Sequence, residues 1–132
     1  MKVSINLKSV ITSCTGDKDV ISHKGNGMLT RSGSIARLSF PLSGVMQTLV
    51  IDESMPDEME LVRGGDRMVF SLGRKSEGRY KTEYMTLFPE ITTHTLHLAQ
   101  RDGGFFVHLA YTLDLSGERQ HFDMEIEVAY AQ

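Results

Sequence analysis

The feature that most constrains this chain is a long alternation of apolar and polar residues near its end. Apolar side chains fall at Phe105, Val107, Leu109, Tyr111, Leu113 and Leu115. After Ser116-Gly117-Glu118-Arg119 they resume at Phe122, Met124, Ile126, Val128 and Tyr130. A period of two belongs to strands, each with one buried and one wet face. A two-residue loop at Gly117-Glu118 predicts Leu113 opposite Phe122, Tyr111 opposite Met124 and Leu109 opposite Ile126. Every inward residue then meets an inward partner, so turn chemistry and face pattern agree.

The rest of the chain has the same grammar. Val3, Ile5 and Leu7 share a face, and the adjacent Val10 and Ile11 suggest a bulge or bend near Ser9. A second strand, from Val20 to Thr30, contains Gly25 and Gly27, the mark of a bend or a close backbone approach. A turn at Ser32-Gly33 predicts Leu29 opposite Ala36, Gly27 opposite Leu38 and Gly25 opposite Phe40. Gln47–Ile51 has strand propensity. Gly64-Gly65 is the clearest central turn and sets Leu61 opposite Met68 and Met59 opposite Phe70. Further strands are expected over Tyr80–Phe88 and Ile91–Ala99, with Pro89 between them, and Gly103-Gly104 reads as the turn before Phe105.

No long helical period occurs. The expectation is a single all-β domain over residues 1–132, an antiparallel meander of about ten short strands. With no helix to cover a sheet, a sandwich and a closed barrel are the two architectures left. The barrel is preferred, because closure removes exposed edges and accounts for the glycine-interrupted second strand.

Bulk properties narrow the function classes. A net charge of −3 gives no electrostatic reason to expect nucleic acid, which calls for a basic stripe. No run approaches the length of an apolar membrane span, and the opening Met1–Leu7 alternates like a strand rather than a signal peptide. The single Cys14 forms no internal disulfide, so a reducing cytoplasm fits. No membrane partner is expected.

Several stretches together resemble the YwiB-like family of uncharacterised small bacterial proteins. They are Ile5-Asn6-Leu7-Lys8-Ser9-Val10-Ile11, then Asp19-Val20-Ile21 followed by Gly27 and Leu38-Ser39-Phe40, then Tyr84–Phe88, and finally Met124-Glu125-Ile126-Glu127-Val128. Their order and spacing carry the likeness over nearly the whole chain; Pro89 departs from it, where the family pattern has glycine. The resemblance implies a calycin-like barrel, the architecture of lipocalins and fatty-acid-binding proteins. It implies no activity.

His94 and His97, three apart, fall on opposite faces of a regular strand. His108 and His121 lie on the outer face of the last hairpin, opposite Glu127 and Asp114, as solvated charge pairs. No third ligand converges, so no metal site is expected. Cys14 reads as a small, at least half-buried residue without a histidine partner. The acidic group Asp52, Glu53, Asp57, Glu58 and Glu60 lacks EF-hand spacing and reads as a solvated loop. Arg74, Lys75, Arg79 and Lys81 form a basic hairpin tip, the nearest thing to a partner patch.

The barrel interior remains. It either fills with side chains or holds one small ligand. The reading carried forward is a non-enzymatic barrel with no cofactor, binding a small apolar ligand against Phe40, Met59, Met68, Phe70, Tyr111 and Met124, with Tyr111 as the polar handle. The alternative is a self-associating interaction module, a homodimer with a filled core.

Overall fold

The computed structural model describes residues 1–131. They form β1 (Lys2–Thr12), β2 (Lys18–Ser32), β3 (Ile35–Leu42), β4 (Val45–Asp52), β5 (Glu58–Arg63) and β6 (Asp66–Ser71). There follow β7 (Lys75–Glu77), β8 (Tyr80–Lys81), β9 (Thr86–Leu87), β10 (Glu90–Arg101), β11 (Gly104–Leu115) and β12 (Glu118–Tyr130). Ten strands make one sheet in the order β6-β5-β4-β3-β2-β1-β12-β11-β10-β7, while β8 and β9 pair separately. All ladders within the ten-stranded sheet are antiparallel.

The sheet curls until its ends nearly meet. Along this seam Arg67 and Arg79 exchange backbone hydrogen bonds of 3.0 and 2.8 Å, and Gly73 N–H donates to Thr93 O at 3.1 Å. A parallel bridge joins Leu72 to Thr93. The chain is thus an all-β barrel, with β1 lying between β2 and β12.

The alternating residues do what their period requires. Val3, Ile5 and Leu7 of β1, Phe105, Val107, Leu109 and Tyr111 of β11, and Ile126 and Val128 of β12 are all buried. Leu38, Leu49, Ile91 and Leu109 are wholly enclosed, each contributing about 2 kcal/mol of transfer free energy. Gly27 is needed for closeness rather than for its φ. A Cβ there would stand 2.8 Å from Ser39 O and 3.3 Å from Phe40 Cβ, so β2 and β3 meet where a side chain has no room.

Two hairpins differ from the sequence expectation by one residue in the loop. The last turn is Ser116-Gly117, and Leu109 pairs with Met124, Tyr111 with Phe122 and Leu113 with Gln120. Both turn residues have positive φ (55° and 87°), which matches the right-handed strand twist. The β2–β3 turn is likewise Gly33-Ser34, with Leu29 opposite Leu38 and Arg31 opposite Ala36. Each loop shift slides the partner by two residues, so the faces are preserved. At Gly64-Gly65 the expected pairs, Leu61–Met68 and Met59–Phe70, are the observed ones.

The bulge expected near Ser9 is absent. β1 stays in one register with both neighbours, so Val10 faces outward beside Val20, an apolar cross-strand pair on the wet face. The irregularity lies instead in β10, between Thr93 and Thr95. The turn before β11 is Asp102-Gly103. Gly104 is already the first, buried residue of that strand, opposite Ala129.

Candidate functional site

Three inward rungs cross β3, β4, β5 and β6, and they build the site. The first is Ala36–Ile51–Met59–Phe70, the second Leu38–Leu49–Leu61–Met68 and the third Phe40–Gln47–Arg63–Asp66. The first rung is a packed floor: none of its four members is more than 4% exposed. Above it the barrel opens into a cavity of about 480 Å³. Leu49, Leu61 and Met68 of the second rung line this space, as does the whole third rung. The facing wall comes from β1, β11 and β12, through Leu7, Ile11, Leu113, Phe122 and Met124.

Tyr111 stands where floor and cavity meet. Its ring packs on Phe70 at 4.6 Å and stacks on Phe122 at 4.7 Å between centroids. The residue is 6% exposed, and its hydroxyl makes no hydrogen bond to another described residue. Burial pushes the phenol well above its ordinary pKa, because the phenolate would lose its hydration there. Tyr111 is therefore a neutral donor and acceptor at physiological pH.

Polar groups gather at the open end. Gln47 is buried, and its Nε2 reaches Val45 O only at a long 3.4 Å. Arg63, Asp66, Arg79, Tyr80, Pro89 and Gln120 also border the cavity. The segment 78–89 crosses this end as a strap. Its ends are joined by Gly78 N–H to Pro89 O (2.9 Å), and Lys81 N–H ties it to Asp66 Oδ1 of β6 (2.8 Å). Its outer side carries the exposed Tyr84, Met85 and Phe88.

Of the residues expected to meet a ligand, Phe40, Met68, Tyr111 and Met124 lie on the cavity wall. Met59 and Phe70 lie in the floor, on the same inward face but one rung too deep. The polar third rung went unread in the sequence, although its signal was present. The register that pairs Leu61 with Met68 also sets Arg63 opposite Asp66, on the inward parity. The basic tip does not act as one patch: Lys75 pairs with Glu90 at 3.2 Å, whereas Arg79 turns to the cavity rim.

The histidines differ from expectation for two reasons, the β10 bulge for His94 and His97 and the shifted β11–β12 turn for His108 and His121. The bulge places His94 within hydrogen-bonding distance of Thr112 Oγ1 (2.7 Å), which also meets His121 Nδ1 at 2.7 Å. His97 pairs with His108. His94 and His97 thus share the outer face rather than opposing ones. His108 lies opposite Glu125, not Glu127, and its Nε2 is 2.8 Å from Asp123 Oδ1. His121 lies opposite Thr112, not Asp114. A third potential ligand does converge: ligand atoms of His108, Asp123 and Glu125 lie within 4.8 Å of one another. Both carboxylates face solvent, and the imidazole is already engaged by one of them.

Cys14 is exposed, not half-buried. In the acidic loop, Asp52 accepts hydrogen bonds from Ser54 N–H and Oγ–H at 3.0 and 2.6 Å, and the serine partners hold its carboxyl below the usual range.

No curated protein matches the chain. Among solved structures, the ywiB protein from Bacillus subtilis is similar, with a TM-score of 0.78 at 19% identity over 96% of this chain and 90% of that one. At that identity the likeness concerns the fold alone. The family model described as "Domain of unknown function (DUF1934)" matches residues 5–127, and the chain belongs to that family.

Proposed function

We propose that this barrel holds one small, predominantly apolar molecule in its interior and performs no chemistry on it. The supporting observation is the cavity of about 480 Å³ above a packed floor, a size within the usual range of small-molecule sites. A barrel core that served only stability would continue its close packing through the second and third rungs. The wall offers Phe40, Leu49, Met68, Phe122 and Met124 as apolar surface, and methionine adapts to ligands of irregular shape. Tyr111 supplies one hydroxyl to orient the guest. That group is held neutral, so it suits hydrogen bonding rather than proton abstraction.

Native mass spectrometry of freshly purified protein, against its denatured mass, is the direct test. A discrete non-covalent surplus is expected. Stripped protein should then take up the neutral fluorophore N-phenyl-1-naphthylamine at one site per chain, and Leu61→Trp, which puts an indole into the cavity, should weaken uptake. A bare mass together with no saturable uptake refutes the reading; if the protein is then a clean dimer, self-association through a filled barrel takes its place.

A further inference from the structure

We infer that the molecule held in the barrel carries an anionic head on its apolar body, and that Arg63 and Arg79 receive this head at the open end. The inference rests on the interior-binding reading above and adds a charge to it.

The argument begins with the third rung. Charged side chains rarely point into a barrel, because an unpaired charge on the inner wall loses hydration. Here one rung changes character part of the way across, from Phe40 to Gln47, Arg63 and Asp66. Arg79 joins it from the strap, held by its two backbone bonds to Arg67. Both arginines border the cavity and are exposed to water.

Arg31, Arg67, Arg101 and Arg119 each form an ion pair with a carboxylate. Among the described residues Arg37, Arg63, Arg74 and Arg79 have no carboxylate within ion-pairing distance, and of these four Arg63 and Arg79 border the cavity. Asp66, the one carboxylate on the wall, accepts the Lys81 N–H that ties down the strap. Two guanidiniums against one carboxylate leave the cavity wall positive, in a chain whose net charge is −3. A planar guanidinium donates in pairs to carboxylate, phosphate or sulfonate oxygens, and the adjacent low-dielectric wall strengthens that attraction relative to water. An apolar chain entering at the rim would run past Leu61 and Met68 toward Tyr111, leaving its head between the two arginines.

The test separates the charge from the interior site. Dodecanoate and dodecanol share one apolar chain and differ in the head. Dodecanoate below its micellar concentration and dodecanol below its solubility limit are each titrated against N-phenyl-1-naphthylamine bound to wild type and to the double variant Arg63→Gln, Arg79→Gln. Both positions are exposed, so the variant should keep its fold, which its far-ultraviolet circular dichroism and urea midpoint verify. We expect dodecanoate to displace the probe about tenfold more tightly than dodecanol, and the double variant to bring the two to parity with dodecanol unchanged. Equal binding of both in wild type overturns the anionic head and leaves the interior reading standing. A dodecanoate preference that survives the double variant overturns the assignment to these arginines. Failure of both to bind, with no probe uptake, overturns the interior reading itself.

Discussion

Replacing Gly104 by alanine should open the ladder between β11 and β12. Gly104 is buried and pairs with Ala129, and its φ is outside the left-handed region, so the cost is steric alone. A methyl group there would sit 1.9 Å from Val128 O, 2.9 Å from Val128 C and 3.1 Å from Ala129 Cα. All three are backbone atoms of the neighbouring strand, which no rotamer change can move aside. A tolerable carbon–oxygen contact is roughly 3.4 Å, so the strands must part by roughly 1.5 Å at this rung. Overpacking strain costs about 1–3 kcal/mol, and each weakened ladder bond adds about 1 kcal/mol. The expected loss is about 3 kcal/mol, or a fall in Tm of about 10 °C for a chain of this size. Gly65→Ala is the matched control. No atom lies within 4 Å of its added methyl and its φ is unrestricted, so it should be neutral or stabilising by about 0.5 kcal/mol. Urea and thermal unfolding followed by far-ultraviolet circular dichroism measure both. A Gly104→Ala protein within 1 kcal/mol of wild type would refute the reasoning, since the rung would then be yielding rather than fixed.

Three further outcomes are expected. Leu38→Ala, at a wholly enclosed position, should cost about 3 kcal/mol in urea unfolding; Leu61→Ala, on the cavity wall, should cost about 1 kcal/mol because it enlarges a space already present. Gly117→Ala, at φ 87°, should destabilise by about 1 kcal/mol in the same assay, and a neutral result would mean the turn relaxes. The Tyr111 phenol has a folded pKa above its unfolded value of about 10, so the unfolded chain releases that proton first as pH rises. The stability this contributes is present below about pH 10 and declines above it, and Tyr111→Phe should lose less between about pH 9 and about pH 11, read from urea midpoints.

The fold was legible because face parity survives small mistakes. A loop at Gly117-Glu118 instead of Ser116-Gly117 moves every partner of β11 by two positions, yet Tyr111 still faces an inward residue of β12. What pattern could not supply was the conformation of Ser116, whose positive φ is unusual for a side chain with a Cβ. The β10 bulge was hidden for a related reason. Thr92, Thr93, His94 and Thr95 offer no apolar alternation to break, so an extra residue leaves no trace in the pattern. Val10 misled in the opposite direction, as an apolar residue on the wet face. Within the candidate site, the apolar wall was readable from parity, but depth was not. Met59 and Met68 share a face, and only the three-dimensional stacking of rungs separates floor from cavity.

The placement of β1 between β2 and β12 has a consequence for how the molecule assembles. Strands β1 to β6 form one run of sequential hairpins, and β10 to β12 form another, so each can zip from its own turns. The junction between the runs is different. Val3 must find Tyr130, nearly the full length of the chain away. Loop closure over such a span precedes any reward from its contacts, which places this protein among slow folders governed by non-local pairing. The β1–β12 ladder is the step at which two separately formed meanders become one barrel.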